Sequence, residues 1–324
     1  MSQDFTRNLI WSALENYVQD QIDSGLSQEE IQTKVDELDI QKLTIETVEQ
    51  IAKDCISSIQ ENMYERVLEE RANVTQFMAH NEQIWQKGFS SSEMLYIIVI
   101  EAVETYCEIF DELPDEKKEN MKYRYTVLRE LHGRACQEFL EILHLLKAGF
   151  ADGAYARWRS MYELCIVAEF IRQNGEDVAK AYYEQSFVYE KEYNWAKKAP
   201  CFANKQNVNF NMIQQQCSTA TEEWKNQYRL SNKVLHAAPQ GTFSRLGKRP
   251  ETRVVAIGQS DYGIAMPAVN SAITLAIISV LFFNMLYSGD GSVYSMVISK
   301  WIDIVRKIYE QIEKKYFESE HSNE

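Results

Sequence analysis

Arg229 and His236 stand seven residues apart, just ahead of a break at Pro239-Gln240-Gly241. Seven residues advance a helix by about 700°, close to two full turns, so both side chains would project from one face. Asn232, four residues before the histidine, falls on the same side. The strip offers a permanent cation, an imidazole that titrates near neutrality and an amide, a set able to bind and cleave a phosphodiester. Tyr228, Ser231 and Lys233 lie beside it. The same residues also suit an ordinary helix end, with His236 near the last carbonyls and Arg229 paired to Glu222 or Glu223.

Two further polar groups need an explanation. Arg157, Arg159 and Glu163 sit on an otherwise apolar stretch, 154–173, that is apolar enough to be central. Arg159 and Glu163 are one turn apart, so they form either a simple intrahelical ion pair or part of a pocket shared with Tyr228, Ser231, Arg229 and His236. Residues 244–253 carry Arg245, Lys248, Arg249 and Arg253 against a single acid, Glu251. That run is either a solvated loop or a local basic patch.

The elements that must position these groups are helical. The chain has 324 residues, of which 45% are hydrophobic and 12% aromatic, with only 12 Gly and 5 Pro. Long stretches therefore lack any breaker, and an all-α, multi-helix bundle with long antiparallel helices is expected. Residues 1–88 read as an N-terminal helical region for contacts or regulation, with a capping box at Ser27-Gln-Glu-Glu30. Helices are expected over 41–57 and 60–86, with a break near Gly88-Phe-Ser-Ser-Ser92. A helical-bundle core then spans 92–319, with helices over 94–113, 115–150, 154–173, 176–198 and 292–317, and 320–324 form a disordered tail. Residues 262–289 contain no charge, and they form either a central buried helix, the favoured reading, or a membrane span.

A formal net charge of −14 excludes a broad, sequence-independent nucleic-acid binder and leaves no case for a DNA partner. Six dispersed cysteines form no C-x-x-C pair, so reduced thiols in the cytoplasm are expected. His80, His132, His144 and His321 lack metal-ligand spacing, and neither a metal site nor a cofactor is expected. No P-loop, G-x-G-x-x-G, G-x-S-x-G or H-E-x-x-H pattern is present.

The run Gly149-x-x-x-Gly153-Ala154-x-x-Arg157-x-Arg159-Ser160-x-x-Glu163, followed by Tyr228-x-x-Ser231 and His236, resembles a family of bacterial helical proteins without an assigned function, over roughly residues 120–290. Separately, Arg229 and His236 are similar to the R-x4–6-H signature of the HEPN superfamily, helical bundles that are often dimeric and include metal-independent ribonucleases of toxin-antitoxin, abortive-infection and CRISPR systems. Leu230 stands where such enzymes often carry a polar residue. The resemblance implies attack by an RNA 2′-OH on its own phosphate. His236 would be the acid or base, Arg229 would hold the phosphate and Asn232 would orient the imidazole, while Lys233, Arg245, Lys248, Arg249 and Arg253 would hold the RNA backbone. The expected function is thus a metal-independent endoribonuclease acting as a toxin or phage-defence effector on a selective RNA, tRNA being one candidate, from a homo-oligomer. Two alternatives stay open: a non-catalytic interaction or regulatory protein that meets a defence effector through 1–88, and a membrane-associated effector using 265–287.

Overall fold

A computed structural model describes residues 3–189, 191–236, 238–249, 257–286 and 288–318. Among the described residues there are twelve α-helices and no strand, which makes the protein an all-α multi-helix bundle. The chain divides into two compact units, Met1–Asn73 and Val74–Glu324.

The first unit holds α1 (Gln3–Asp23), α2 (Gln28–Asp36) and the start of α3 (Ile40–Asp111). Gly25, at φ 79°, turns the chain between α1 and α2. The capping box forms as its sequence requires. Glu30 accepts a hydrogen bond from the Ser27 amide at 2.9 Å, and the Ser27 hydroxyl accepts from the Glu30 amide at 3.5 Å. The Ser27 amide, which contributes most, and the Ser27 hydroxyl, which donates to the same carboxylate at 2.7 Å, hold the Glu30 carboxyl below the usual range. Every residue from 48 to 73 of α3 is exposed.

In the second unit the rest of α3 carries the fully buried Trp85, Phe89, Leu95 and Val99. It is followed by α4 (Asp115–Glu119), α5 (Lys122–Lys147), α6 (Ala151–Asn174), α7 (Glu176–Gln185) and α8 (Phe210–Gln214). Then come α9 (Glu222–Leu235), α10 (Pro239–Phe243), α11 (Ala265–Phe283) and α12 (Gly289–Glu313). The α5–α6 turn is closed by Gly149 at φ 80°, with Phe150 N–H on Leu145 O at 2.8 Å and Gly149 N–H on Leu146 O at 3.0 Å. A side chain at Gly149 would also meet the Phe77 ring and the Ser260 amide. Helices α5 and α6 run antiparallel, tied by Ser160 to Glu138 and by Arg157 to Glu141.

Helix α11 lies against α5, α6 and α12 and is the centre of this unit. It is long and apolar enough to cross a membrane, yet most of it is buried inside the protein. Its hydroxyls explain why polar residues interrupt an apolar run. Thr274 gives its proton to Asn270 O at 2.8 Å and accepts from the Trp158 indole of α6 at 3.0 Å. Ser279 gives its proton to Leu275 O at 2.7 Å and lies 2.9 Å from His132 Nε2 of α5. Each buried donor thereby has an acceptor, as a core requires.

Several expected boundaries move. The break at 88–92 is absent, because Gly88 is the close-approach point of two helices. A Cβ there would lie 2.7 Å from the Tyr309 ring of α12. Ser92 lies 3.2 Å from the Tyr309 hydroxyl, and the Ser91 carbonyl accepts from the Trp301 indole at 2.9 Å. The compact units meet at residue 73, not 88, and 74–88 belong to the second. There Asn81 donates to Leu146 O and Lys147 O, both at 2.9 Å, and the Trp85 indole donates to Asp261 O at 3.0 Å. The helix expected over 115–150 is split into α4 and α5, and that expected over 176–198 stops at Gln185. The tail 320–324 lies outside the described residues.

Candidate functional site

Helix α9 is laid on α6 by its aromatic face. Trp224 packs on Trp158 at 5.8 Å and on Tyr162 at 6.0 Å, and Tyr228 packs on Tyr162 at 5.5 Å. The Thr221 hydroxyl accepts from the Trp224 amide and starts the helix, with Glu222 and Glu223 in the first turn where the dipole favours acids.

At this contact Arg159, Glu163 and Tyr228 close a triangle. Arg159 donates to the Tyr228 hydroxyl at 2.9 Å, Tyr228 donates to Glu163 at 2.6 Å, and Arg159 pairs with Glu163 at 2.8 Å. The guanidinium also lies 5.0 Å from the centre of the Tyr228 ring. Arg159 and Glu163 are 28% and 26% exposed, so the group is shielded but reachable from solvent. Phe210 packs on Tyr228 and on Tyr193, widening the aromatic wall. Burial, and then the bond to Glu163, push the Tyr228 phenol well above its ordinary range, and burial does the same to Tyr193. Both phenols therefore stay protonated at neutral pH, and Tyr228 acts as a hydrogen-bond bridge and not as a base.

The other expected site residues are placed elsewhere. Arg157 turns toward Glu141 and, at 3.5 Å, Glu138. Glu138 is fully buried, and burial pushes its carboxyl up against the opposing pull of Arg157, Ser160 and Arg134. Arg229 lies on the exposed side of α9, where it donates to Lys225 O at 3.3 Å and pairs with Glu222 at 3.5 Å. Ser231 is buried and donates to Tyr228 O at 2.8 Å, while Asn232 Oδ1 is buried with no hydrogen-bond partner among the described residues.

His236 is no longer on the helix. It caps the C-terminus of α9 with extended backbone (φ −95°, ψ 150°), its amide on Asn232 O at 3.1 Å. The expected alignment of Arg229 with His236 on one helical face is therefore lost, and the helix-end alternative with Arg229 on Glu222 is the geometry observed. The imidazole itself is exposed. Helix α10 then folds back so tightly that a side chain at Gly241 would strike the Lys233 carbonyl.

In the basic run, Arg249 reaches both carboxylate oxygens of Asp261 at 3.0 Å and stacks on Phe317. The run is anchored at Leu246 and Gly247, whose amides donate to Asp152 at 2.9 and 3.3 Å. Arg245 and Lys248 are half-buried and Lys233 is exposed. Arg253 lies outside the described residues. Sequence reasoning missed Tyr193 and Phe210, which sit in a loop and a one-turn helix and carry no periodic signal. It also missed Asp152 and Asp261, whose partners are distant in the chain.

A protein-family model described as a family of unknown function (DUF5677) matches residues 125–250. The matched stretch contains the Arg159–Glu163–Tyr228 triangle, Arg229 and His236, and it agrees with the expected likeness to a helical family without an assigned function. No curated protein and no solved structure matches the chain.

Proposed function

We propose that the chain is a non-catalytic helical interaction protein whose first unit is the docking arm. The observation that carries this reading is α3 between residues 48 and 73, where every position is exposed although Val48, Ile51, Ile56, Ile59, Met63 and Val67 are apolar. Isolated helices gain little stability from propensity alone, so a helix of this length in a folded protein is normally held by burying an apolar face. The α6–α9 triangle offers no such stripe, its Arg159, Glu163 and Tyr228 being bonded to one another. The reading is tested by placing a photo-activated cross-linking residue at position 56 of the full chain in its native cells. Covalent adducts are expected at 56 and not at an exposed polar control such as Glu61, and their absence would sink the proposal. A truncation meant to remove the arm should begin at Val74, since one beginning after 88 would strip Asn81 and Trp85 from the second unit.

The exposed Arg229, Lys233 and His236 at the end of α9 support a second reading, metal-independent RNA cleavage. His236 would serve as acid or base and Arg229 would exchange Glu222 for a phosphate. Exchange is cheap, because an ion pair this exposed is screened by solvent and contributes little. The expected result is EDTA-resistant cleavage of RNA that falls by roughly 100-fold or more in His236→Ala with helix content unchanged. EDTA-sensitive cleavage, or full activity in the variant, removes this reading.

A further inference from the structure

We infer that the apolar stripe of α3 seats a second copy of this chain, the two α3 segments pairing antiparallel about the point between residues 57 and 58. This rests on the docking-arm reading and names its occupant. Val48, Ala52 and Ile56 return eleven residues later as Ile59, Met63 and Val67. An eleven-residue repeat is close to three full helical turns, so the six side chains form a nearly straight stripe. Five of them are large apolar residues between 42% and 58% exposed.

The order of the six supplies the choice of partner. Their spacings are 4, 4, 3, 4 and 4 residues, which read the same in both directions. A two-fold axis between 57 and 58 therefore places each layer on its own complement, as a self-complementary patch requires. Val48 meets Val67, Ile56 meets Ile59, and the small Ala52 meets the large Met63. A parallel pairing in register would instead set Ala52 against Ala52 and leave a gap, with two Met63 side chains crowded a few turns away. Even layer volumes favour the antiparallel arrangement.

The area is also adequate. A fully buried aliphatic side chain removes roughly 60–120 Å² from water at the usual transfer coefficient. The ten large stripe residues of the pair then give about 600–1,200 Å², and Ile51 and Tyr64 on the flanks bring the pair to the size of a specific interface. Both flanking residues are exposed, at 41% and 72%.

The experiment uses the full chain. Sedimentation equilibrium at micromolar concentration should give twice the 37.8 kDa chain mass, and Ile56→Asp with Ile59→Asp should give the chain mass. The thermal transition of the second unit should not move, because both residues belong to the first unit and are exposed. Orientation is read by oxidative cross-linking in a Cys55→Ser, Cys201→Ser background, which removes the exposed thiols among the described residues. Val48→Cys mixed with Val67→Cys should cross-link, whereas Val48→Cys alone should not, since antiparallel pairing holds the two copies of residue 48 about 28 Å apart.

Cross-linking of Val48→Cys alone overturns the antiparallel pairing, and a dimer that survives the double aspartate variant overturns the stripe as its seat. A wild-type monomer that still gives adducts to other chains from position 56 overturns self-pairing and leaves the docking arm standing. A monomer without adducts overturns both.

Discussion

Trp158→Ala is expected to lower the unfolding free energy by about 3–5 kcal/mol, the range found when a buried aromatic side chain is cut back to a methyl group. Trp158 is fully buried, stacks on Tyr155 at 5.1 Å and packs on Trp224 at 5.8 Å. The truncation would open a cavity at the point where α6, α9 and α11 meet. It would also remove the donor to Thr274, but the threonine hydroxyl keeps its own bond to Asn270 O and is not left stranded. Packing therefore dominates the loss. Trp158→Phe separates the two contributions. It keeps most of the volume, gives up the indole N–H and should cost about 1–2 kcal/mol. The measurement is a urea titration with a constant slope for all three proteins. Since domains are stable by only about 5–15 kcal/mol, the alanine variant should be close to unfolded at moderate urea. Equal losses in the two variants would mean that the hydrogen bond, and not the packing, holds this junction.

His132 sets the second large effect. The Ser279 proton is committed to Leu275 O, so His132 Nε2 must donate to Ser279. Cys136 Sγ lies 3.7 Å from Nδ1, and burial pushes its thiol up to about 12, which keeps it protonated and able to donate. Phe282 and Phe283 also pack on the ring, and neither offers an imidazolium a compensating charge. Burial therefore lowers the His132 pKa from 6.5 to about 4. A depressed histidine contributes stability that is fully present above pH 6.5, where both folded and unfolded chains carry the neutral ring. As pH falls through 6.5 toward 4, the unfolded chain takes up the proton and the folded one does not, so stability is lost across that window and not below it. The shift corresponds to about 3 kcal/mol. In stability-against-pH curves, wild type should lose about that much more than His132→Gln between pH 6.5 and 4, the glutamine being unable to titrate. Parallel curves would show that His132 is protonated in the folded state.

The sequence carried the local signals faithfully and the distant ones poorly. Ser27 and Glu30 cap α2 because both partners lie within one turn. The uncharged run around Thr274 and Ser279 was legible as a buried helix, since its scattered hydroxyls and acidic flanks fit a bilayer badly. Arg159 and Glu163 were marked as a group needing partners, and Tyr228 is one of them. Gly88-Phe-Ser-Ser-Ser92 misled because glycine and serine weaken a helix locally, while the reason for them, the Tyr309 ring, stands more than 200 residues away. His236 was misplaced for a different reason. Pro239 forces the residue before it toward extended backbone, and Ala238 is found at ψ 145°. With the chain already leaving the helix at Leu235, a helical projection across Arg229 and His236 could not hold.

The two hydroxyls of α11 that meet neighbouring helices have one more consequence. A cylinder of apolar side chains is nearly featureless to its neighbours, and greasy contacts alone would let it turn or slide between packings of similar energy. Thr274 and Ser279 are five residues apart, so they sit about 140° around and roughly 7.5 Å along the axis from each other. One is engaged by α6 and the other by α5, so no rotation or shift satisfies both except the one observed. In an otherwise degenerate surface these two oxygens work as an index mark, and they give the bundle a single address for its central helix.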